Sequence, residues 1–162
     1  MLDQKSQPLW LRFSPHIIAQ VGITALAVAY YAEIIHSLEP CILCIYQRVP
    51  FALVIAFGLV GMFRPAFLHW MLVLAGVAFL TGSGIATYHV GVEQHWWESA
   101  CGGDLGEQMS TTNLIQRLSM KPVKSCDELE WALFEISMAT YNVFYSLALS
   151  IFCFAGVHKL RG

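Results

Sequence analysis

Charge is scarce in this chain. Of its 162 residues, 12% are charged and 57% are hydrophobic, whereas soluble globular domains carry about 25% charged residues. So few charges cannot cover an ordinary soluble surface, which excludes that class and indicates a membrane protein. The formal net charge is only −2, and no nucleic-acid partner is expected.

Four uncharged stretches are long enough to cross a bilayer, which requires about 20 apolar residues in a helix. Between Arg64 and Glu93, for example, no charged residue occurs for 28 positions. The first stretch follows Lys5 and Arg12 as in a signal peptide, but it is too long for one and three more spans follow it. The sequence predicts an all-α, four-transmembrane-helix bundle in a single membrane domain, 1–162. The predicted helices cover about 15–37, 43–63, 65–89 and 136–158.

The second of these helices has the shortest apolar run. VPFALVIAFGLVGMF, residues 49–63, has 15 residues and is about 22 Å long as a helix. The helix must therefore include residues of the preceding CILCIYQR, or it ends in the membrane interface. Pro40 suits a position just before a helix and Pro50 suits a first turn, so CILCIYQR is predicted to be a short helical or turn segment at the surface.

Basic residues cluster on one side of the predicted bundle. With four spans both termini lie on the same side. This side holds five of the nine basic residues: Lys5, Arg12, Arg64, Lys159 and Arg161. Because short cytoplasmic segments are enriched in Lys and Arg, both termini are predicted to be cytoplasmic. The extracytoplasmic side then receives two segments, about 38–48 and 90–135.

Four of the five cysteines fall in these extracytoplasmic segments: Cys41, Cys44, Cys101 and Cys126. Cysteines there meet oxidising conditions, so two disulfides are predicted. Four cysteines permit three pairings, and the sequence alone does not choose among them. Proximity favours Cys41 with Cys44 and Cys101 with Cys126. The fifth, Cys153, lies in an apolar stretch and is predicted to be a packed small hydrophobic residue.

An arginine follows the CILC motif closely. In a helix, Cys44 and Arg48 share a face, where the guanidinium favours the thiolate over the thiol. A thiolate is the better electron donor, and Arg48 can also stabilise negative charge that develops on an electron acceptor dissolved in the bilayer. Two alternatives stand beside this interpretation: a zinc site to which His89 and His95 contribute, and an arginine that only anchors the helix at the headgroups.

The long segment 90–135 has the features of a loop that exchanges disulfides. Two glycines follow Cys101 and make its backbone flexible and accessible. TTNLIQRLSM, residues 111–120, has helically spaced apolar residues and is predicted to be a short amphipathic helix on the membrane surface, with a disordered loop as the alternative. Three tryptophans suit an aromatic belt at the interface: Trp96, Trp97 and Trp131.

The motifs and their order resemble the bacterial disulfide-bond formation protein B family, DsbB. The residues concerned are PCILCIYQR before the second span, YHVGVEQHWWE after the third, and CDELEW followed by SMATYN at the start of the fourth. The likeness covers about residues 38–142 and extends to the terminal helices in layout only. It implies a quinone-linked dithiol oxidase of the bacterial inner membrane that reoxidises the periplasmic thiol oxidase DsbA.

The resemblance also implies roles for the four extracytoplasmic cysteines. Reduced DsbA would attack Cys101, and Cys126 would pass the electrons on to Cys41. Cys44, released as a thiolate, would face a membrane quinone, either ubiquinone or menaquinone, and reduce it. The two periplasmic pairs would thus connect a water-soluble thiol protein to a lipid-soluble oxidant.

Two further residues take roles from the resemblance, and two depart from its pattern. Arg48 would hold the quinone ring oxygen, and His89 matches a family position near the quinone. Gln47 stands where some relatives carry an acid, and Glu135 stands where a small residue is expected. The alternatives are a sibling enzyme for a dedicated partner, a zinc-binding membrane protein, and a membrane protein stapled by disulfides. The redox interpretation itself needs no metal ligand.

Overall fold

The computed structural model describes residues 8–97, 126, 132–133 and 136–161. Four helices dominate this part of the chain: α1 (Leu9–Ile35), α2 (Ile42–Phe63), α3 (Leu68–Glu93) and α4 (Met138–Arg161). A 3-10 turn, Pro65–Phe67, joins α2 to α3. An antiparallel ribbon of β1 (Ala132–Leu133) and β2 (Ile136–Ser137), which the sequence did not predict, precedes α4. All four helices are long and apolar enough to span a membrane, which confirms the predicted fold class.

The first helix begins at Leu9, earlier than the predicted start near residue 15. Pro15 lies inside it and has no N–H to donate to the carbonyl of Leu11. The hydroxyl of Ser14 donates to that carbonyl over 2.7 Å instead. The acceptor therefore stays paired, and the helix continues through the proline.

The second helix takes its missing length from the CILC motif. Residues 42–48 form its first turns, so that α2 has 22 residues and is about 33 Å long, enough to cross a hydrocarbon core of about 30 Å. Pro50 consequently lies in the helix interior, and the prediction that it occupies a first turn was wrong. Cys41 is the N-cap residue, and its sulfur accepts a hydrogen bond from the backbone N–H of Cys44 over 3.3 Å.

The helices pack in sequence order around one apolar core. α2 packs against both α1 and α3, and α4 packs mainly against α3. The core includes Leu72, Phe79 and Cys153, and the complete burial of Cys153 confirms the prediction for this residue. Many large apolar side chains point outward, such as Phe63 with 77% of its surface exposed. Such a surface suits contact with lipid rather than with water.

A Schellman motif ends α3. The backbone N–H of Trp96 donates to the carbonyl of Gly91 over 2.9 Å, and that of His95 donates to Val92 over 3.1 Å, the two bonds that define this cap. His95 has a φ of 56°, in the left-handed region that glycine adopts without steric cost. A histidine therefore occupies a position whose backbone favours glycine.

Replacing His95 by glycine is expected to stabilise the protein by about 1 kcal/mol, because the left-handed region costs other residues roughly 1–2 kcal/mol. The thermal unfolding midpoint in detergent should rise by a few degrees. Gln94→Gly is the control, since Gln94 has a φ of −88° and glycine there only adds entropy to the unfolded chain. Its midpoint should fall. Equal shifts in the two variants would contradict a strained cap.

Candidate functional site

Two thiols meet at the N-terminus of α2. The sulfurs of Cys41 and Cys44 lie 3.1 Å apart, within hydrogen-bonding distance but beyond the S–S bond length of about 2.05 Å. The structure thus contains the reduced form of the pair that the sequence predicts to be a disulfide. Because residues three apart share a helix face, small side-chain rotations separate the dithiol from the disulfide.

His89 reaches this pair from α3. Its ring is buried, and its Nε2 lies 3.6 Å from the sulfur of Cys41. The pKa of the Cys41 thiol is lowered from 9.0 to about 4, chiefly by the hydrogen bond with Cys44 and further by His89, while burial acts in the opposite direction. Cys41 is therefore the thiolate of the pair near neutral pH, and the S–H of Cys44 donates to it.

A chain of polar side chains fixes the ring of His89. Ser146 donates to the Oδ1 of Asn142 over 2.8 Å, and the amide of Asn142 donates to the Oε1 of Gln47 over 2.6 Å. The Nε2 of Gln47 lies 2.8 Å from the Nδ1 of His89. Because an amide nitrogen can only donate, it donates a hydrogen bond to that ring nitrogen. In this arrangement the ring carries its proton on Nε2, the nitrogen that faces Cys41.

Arg48 is held in a defined position. Its guanidinium makes an ion pair of 2.7 Å with Glu33 on α1 and lies 4.8 Å from the ring centroid of Tyr30. Its side chain is only 17% exposed. A partly buried, doubly supported guanidinium offers its remaining N–H donors in a fixed direction.

A cavity of about 440 Å³ adjoins these groups and is bounded by all four helices. Apolar residues such as Ala25, Val28 and Phe51 form much of its wall. The polar part of the wall contains the site residues Cys41, Cys44, Gln47, Arg48, His89 and Glu93. The arrangement opens a reactive dithiol, an oriented cation and a buried imidazole onto one apolar chamber between membrane helices.

Comparison with known proteins agrees with this chemistry. The model of the family described as "Disulfide bond formation protein DsbB" matches residues 11–156. The chain belongs to the DsbB family. A disulfide bond formation protein B of Xylella fastidiosa is 31% identical over 134 residues, which cover 78% of each chain. Another of Acinetobacter baumannii is 30% identical over 156 residues and 85% of each chain. An uncharacterised protein of Rickettsia prowazekii is 28% identical over 140 residues, which cover 84% of this chain and 81% of its own.

A third cysteine of this DsbB-family protein lies beside the pair. Cys126 is disulfide-bonded and is buried in one cluster with Cys41, Leu43 and Val92. Cys126 and Cys41 are therefore neighbours. Four predicted features lie outside the described residues: Cys101, the amphipathic helix at 111–120, Trp131 and Glu135.

Sequence reasoning missed three polar residues of this DsbB-family site: Glu33, Glu93 and Asn142. Each lies in or at the end of a membrane helix, where a charged or amide side chain is costly and usually serves a function. That signal alone could have marked them. The structure places His95, one of the two histidines of the zinc alternative, on the exposed cap of α3. Trp96 and Trp97 are both exposed.

Proposed function

We propose that this DsbB-family protein is a quinone-linked dithiol oxidase that reoxidises a periplasmic DsbA-like thiol oxidase. One observation carries the proposal: the Cys41 and Cys44 thiols line an apolar cavity within the membrane bundle. A dithiol that served only water-soluble proteins would not need such a chamber. A lipid-soluble electron acceptor would reach it directly from the bilayer.

The cavity suits a quinone headgroup. Its volume of about 440 Å³ lies in the range of about 300–1,000 Å³ that small-molecule sites occupy. The wall is largely apolar, and the guanidinium of Arg48 can donate to a ring oxygen. When bound there, ubiquinone or menaquinone would accept the two electrons that formation of the Cys41–Cys44 disulfide releases, together with the one thiol proton that remains on the pair and a second proton from solvent.

The protein's own residues supply the rest of the path. The partner's two thiols reduce the disulfide of Cys101 and Cys126. The thiolate of Cys126 then attacks Cys41 in the oxidised pair, and Cys44 leaves as a thiolate on the cavity wall. A second exchange closes the Cys101–Cys126 disulfide and leaves Cys41 and Cys44 as the dithiol. The burial of Cys126 in one cluster with Cys41 supports this order.

His89 and Cys44 prepare the reduced pair for oxidation. Both lower the pKa of Cys41, so one of the two thiol protons is already lost at neutral pH. The proton that remains is on Cys44, whose sulfur lies 3.1 Å from that of Cys41. Only one proton then has to leave during the two-electron step itself.

The proposed location is the bacterial inner membrane, with both termini in the cytoplasm and the redox cysteines in the periplasm. The antiparallel order of the helices puts Arg64 and the end of α4 at the face opposite Cys41. Arg161 lies 3.5 Å from His69 near the start of α3, which supports a common basic face. Basic residues concentrate on the cytoplasmic side of membrane proteins.

Anaerobic mixing with a reduced DsbA-type protein and a soluble ubiquinone analogue tests the function. Quinone absorbance should fall with wild type and with Cys153→Ser, and it should not change with Cys44→Ser. Arg48→Gln should lower the rate about tenfold, by loss of one charged donor, whereas Arg64→Gln at the opposite face should not. No quinone loss with wild type would overturn the proposal for this partner and quinone. Turnover with another thiol protein only would identify a sibling enzyme with a dedicated partner.

A further inference from the structure

Three ligand atoms of the kind that zinc prefers converge at the N-terminus of α2. The sulfurs of Cys41 and Cys44 and a ring nitrogen of His89 all lie within 4.8 Å of one another. Zinc binds thiolate sulfur at about 2.3 Å and imidazole nitrogen at about 2.0–2.1 Å, so two ligands of a tetrahedral ion lie about 3.5–3.8 Å apart. The observed separations from Cys41 are 3.1 Å to Cys44 and 3.6 Å to His89. Small rotations would make room for the ion.

A buried carboxylate lies against the same group. Glu93, one helical turn beyond His89, places its Oε1 3.6 Å from the ring Nε2, and its side chain is only 6% exposed. Its Oε2 is buried and has no hydrogen-bond partner among the described residues. A buried carboxylate oxygen without a partner is costly. A cation bound to the thiolates and the imidazole would provide one.

We propose that the reduced protein binds one Zn²⁺ through Cys41, Cys44 and His89, with Glu93 as the fourth ligand, and that this ion blocks reoxidation of the dithiol. Both sulfurs bind as thiolates, so their protons are released, and the oxidised pair has no thiolate to offer. Zinc has no redox chemistry and cannot take up the electrons. It must leave before the sulfurs can bond to each other. The inhibition, but not the binding, rests on the proposed function.

The polar chain behind His89 can support the metal form as well. Metal at Nε2 requires a proton on Nδ1 and an acceptor facing it. Rotation of the side-chain amides of Gln47 and Asn142 by about 180° would provide this acceptor. The Oε1 of Gln47 then accepts a hydrogen bond from the Nδ1–H of His89. The hydroxyl of Ser146 can accept as well as donate, so every bond of the chain survives in the opposite direction.

Zinc titration of the full-length reduced protein against a chromophoric chelator tests the site. The background is Cys101→Ser/Cys126→Ser, so that loop thiols do not contribute. One equivalent should bind, and Cys41→Ser, Cys44→Ser and His89→Ala should each weaken it at least 100-fold. Glu93→Gln should weaken binding about tenfold. Cys153→Ser and His69→Ala, which remove the same ligand types elsewhere, should not change it.

A second variant, at Gln47, keeps all four proposed ligands and removes only the hydrogen bond to the ring of His89. Gln47→Leu should weaken zinc binding about tenfold, within the about 10–100-fold range for such outer partners. If the double-serine background does not fold, wild type and Gln47→Leu are compared with all cysteines reduced, and Co²⁺ absorption reports thiolate ligation. Affinity that is unchanged by Cys44→Ser, His89→Ala and Gln47→Leu would overturn the site.

The inhibition is measured in the anaerobic quinone assay. Zinc should slow wild type at least tenfold, and a chelator should restore the rate. Zinc that binds without slowing turnover would overturn the inhibitory role. Quinone reduction by a protein that binds no zinc would overturn this inference and leave the proposed function standing. Zinc binding by a protein that reduces no quinone would support the site and count only against the proposed function.

Discussion

At pH 6, Cys41 in the reduced wild-type protein is expected to react with iodoacetamide as a thiolate, and Cys44→Ala should slow this reaction at least 100-fold. The pKa of Cys41 is about 4, and the hydrogen bond with Cys44 is its largest cause. Without that donor, burial is the largest remaining cause and raises the pKa, opposed by the smaller effects of His89 and of the backbone N–H at position 44. A thiol with an ordinary pKa is ionised only on the order of 1 part in 300 at pH 6.

The measurement is the rate of Cys41 alkylation between pH 4 and 9, with the modified peptide identified by mass spectrometry. In wild type the rate should be level above about pH 5, because the lowered pKa of about 4 keeps the thiolate fraction near one. In Cys44→Ala it should rise about tenfold per pH unit across neutral pH. Cys153→Ala removes a cysteine far from the pair and should match wild type. A wild-type rate that still climbs tenfold per unit from pH 7 to 8 would contradict the lowered pKa.

The number of helices follows from the sequence because charge is costly in a bilayer. The 28 uncharged positions between Arg64 and Glu93 permit little else than a membrane span. The apolar run after the CILC motif was too short to cross alone, so the sequence also indicated that this helix either extends back into CILCIYQR or ends in the interface. Both conclusions depend on length and charge, which the sequence displays directly.

The side-chain contacts within the site could not be predicted from length and charge. In a soluble helix the apolar stripe marks the buried face, but in α4 exposed residues such as Phe144 and Ile151 are as apolar as the core. The rotation of α4, and with it the contact of Asn142 with Gln47, was therefore hidden. The pairing of Arg48 with Glu33 likewise depends on how α1 lies against α2.

A different pattern does mark the inner face of α4. Small polar residues recur at Asn142, Ser146 and Ser150, one helical turn apart. Ser146 and Ser150 are buried, and the hydroxyl of Ser150 donates to the carbonyl of Gly76 on α3 over 2.9 Å. In a membrane, small and polar residues belong to helix interfaces. The stripe that reveals the packed face is thus polar rather than apolar.

Gly58→Ala is expected to lower the free energy of unfolding by about 2–3 kcal/mol, the upper part of the range for overpacking a close contact. A Cβ at Gly58 would lie 2.8 Å from the backbone nitrogen of Ala19 and 2.8 Å from the carbonyl oxygen of Pro15. Backbone atoms cannot rotate aside, so α1 must move as a unit. The measurement is denaturation of the detergent-solubilised protein, followed by circular dichroism.

Gly84→Ala is the matched control on α3. A Cβ there meets no atom within 4 Å, and alanine has the higher helix propensity by about 1 kcal/mol, so this variant should be slightly more stable than wild type. Equal changes in the two variants would show that α1 and α2 do not approach as closely as Gly58 requires.

The displacement of α1 should also reach the site. α1 packs chiefly against α2 and makes few contacts with α3 and α4, so its position depends mainly on the interface in which Gly58 lies. The same helix supplies Glu33, whose carboxylate holds Arg48, and part of the cavity wall. Gly58→Ala should therefore lower the rate of quinone reduction, as Arg48→Gln does. The rate of Cys41 alkylation at pH 6 should not change, because Cys44 and His89 lie on α2 and α3. A loss of Cys41 reactivity in this variant would mean that the bundle as a whole, and not the α1 wall alone, depends on the glycine.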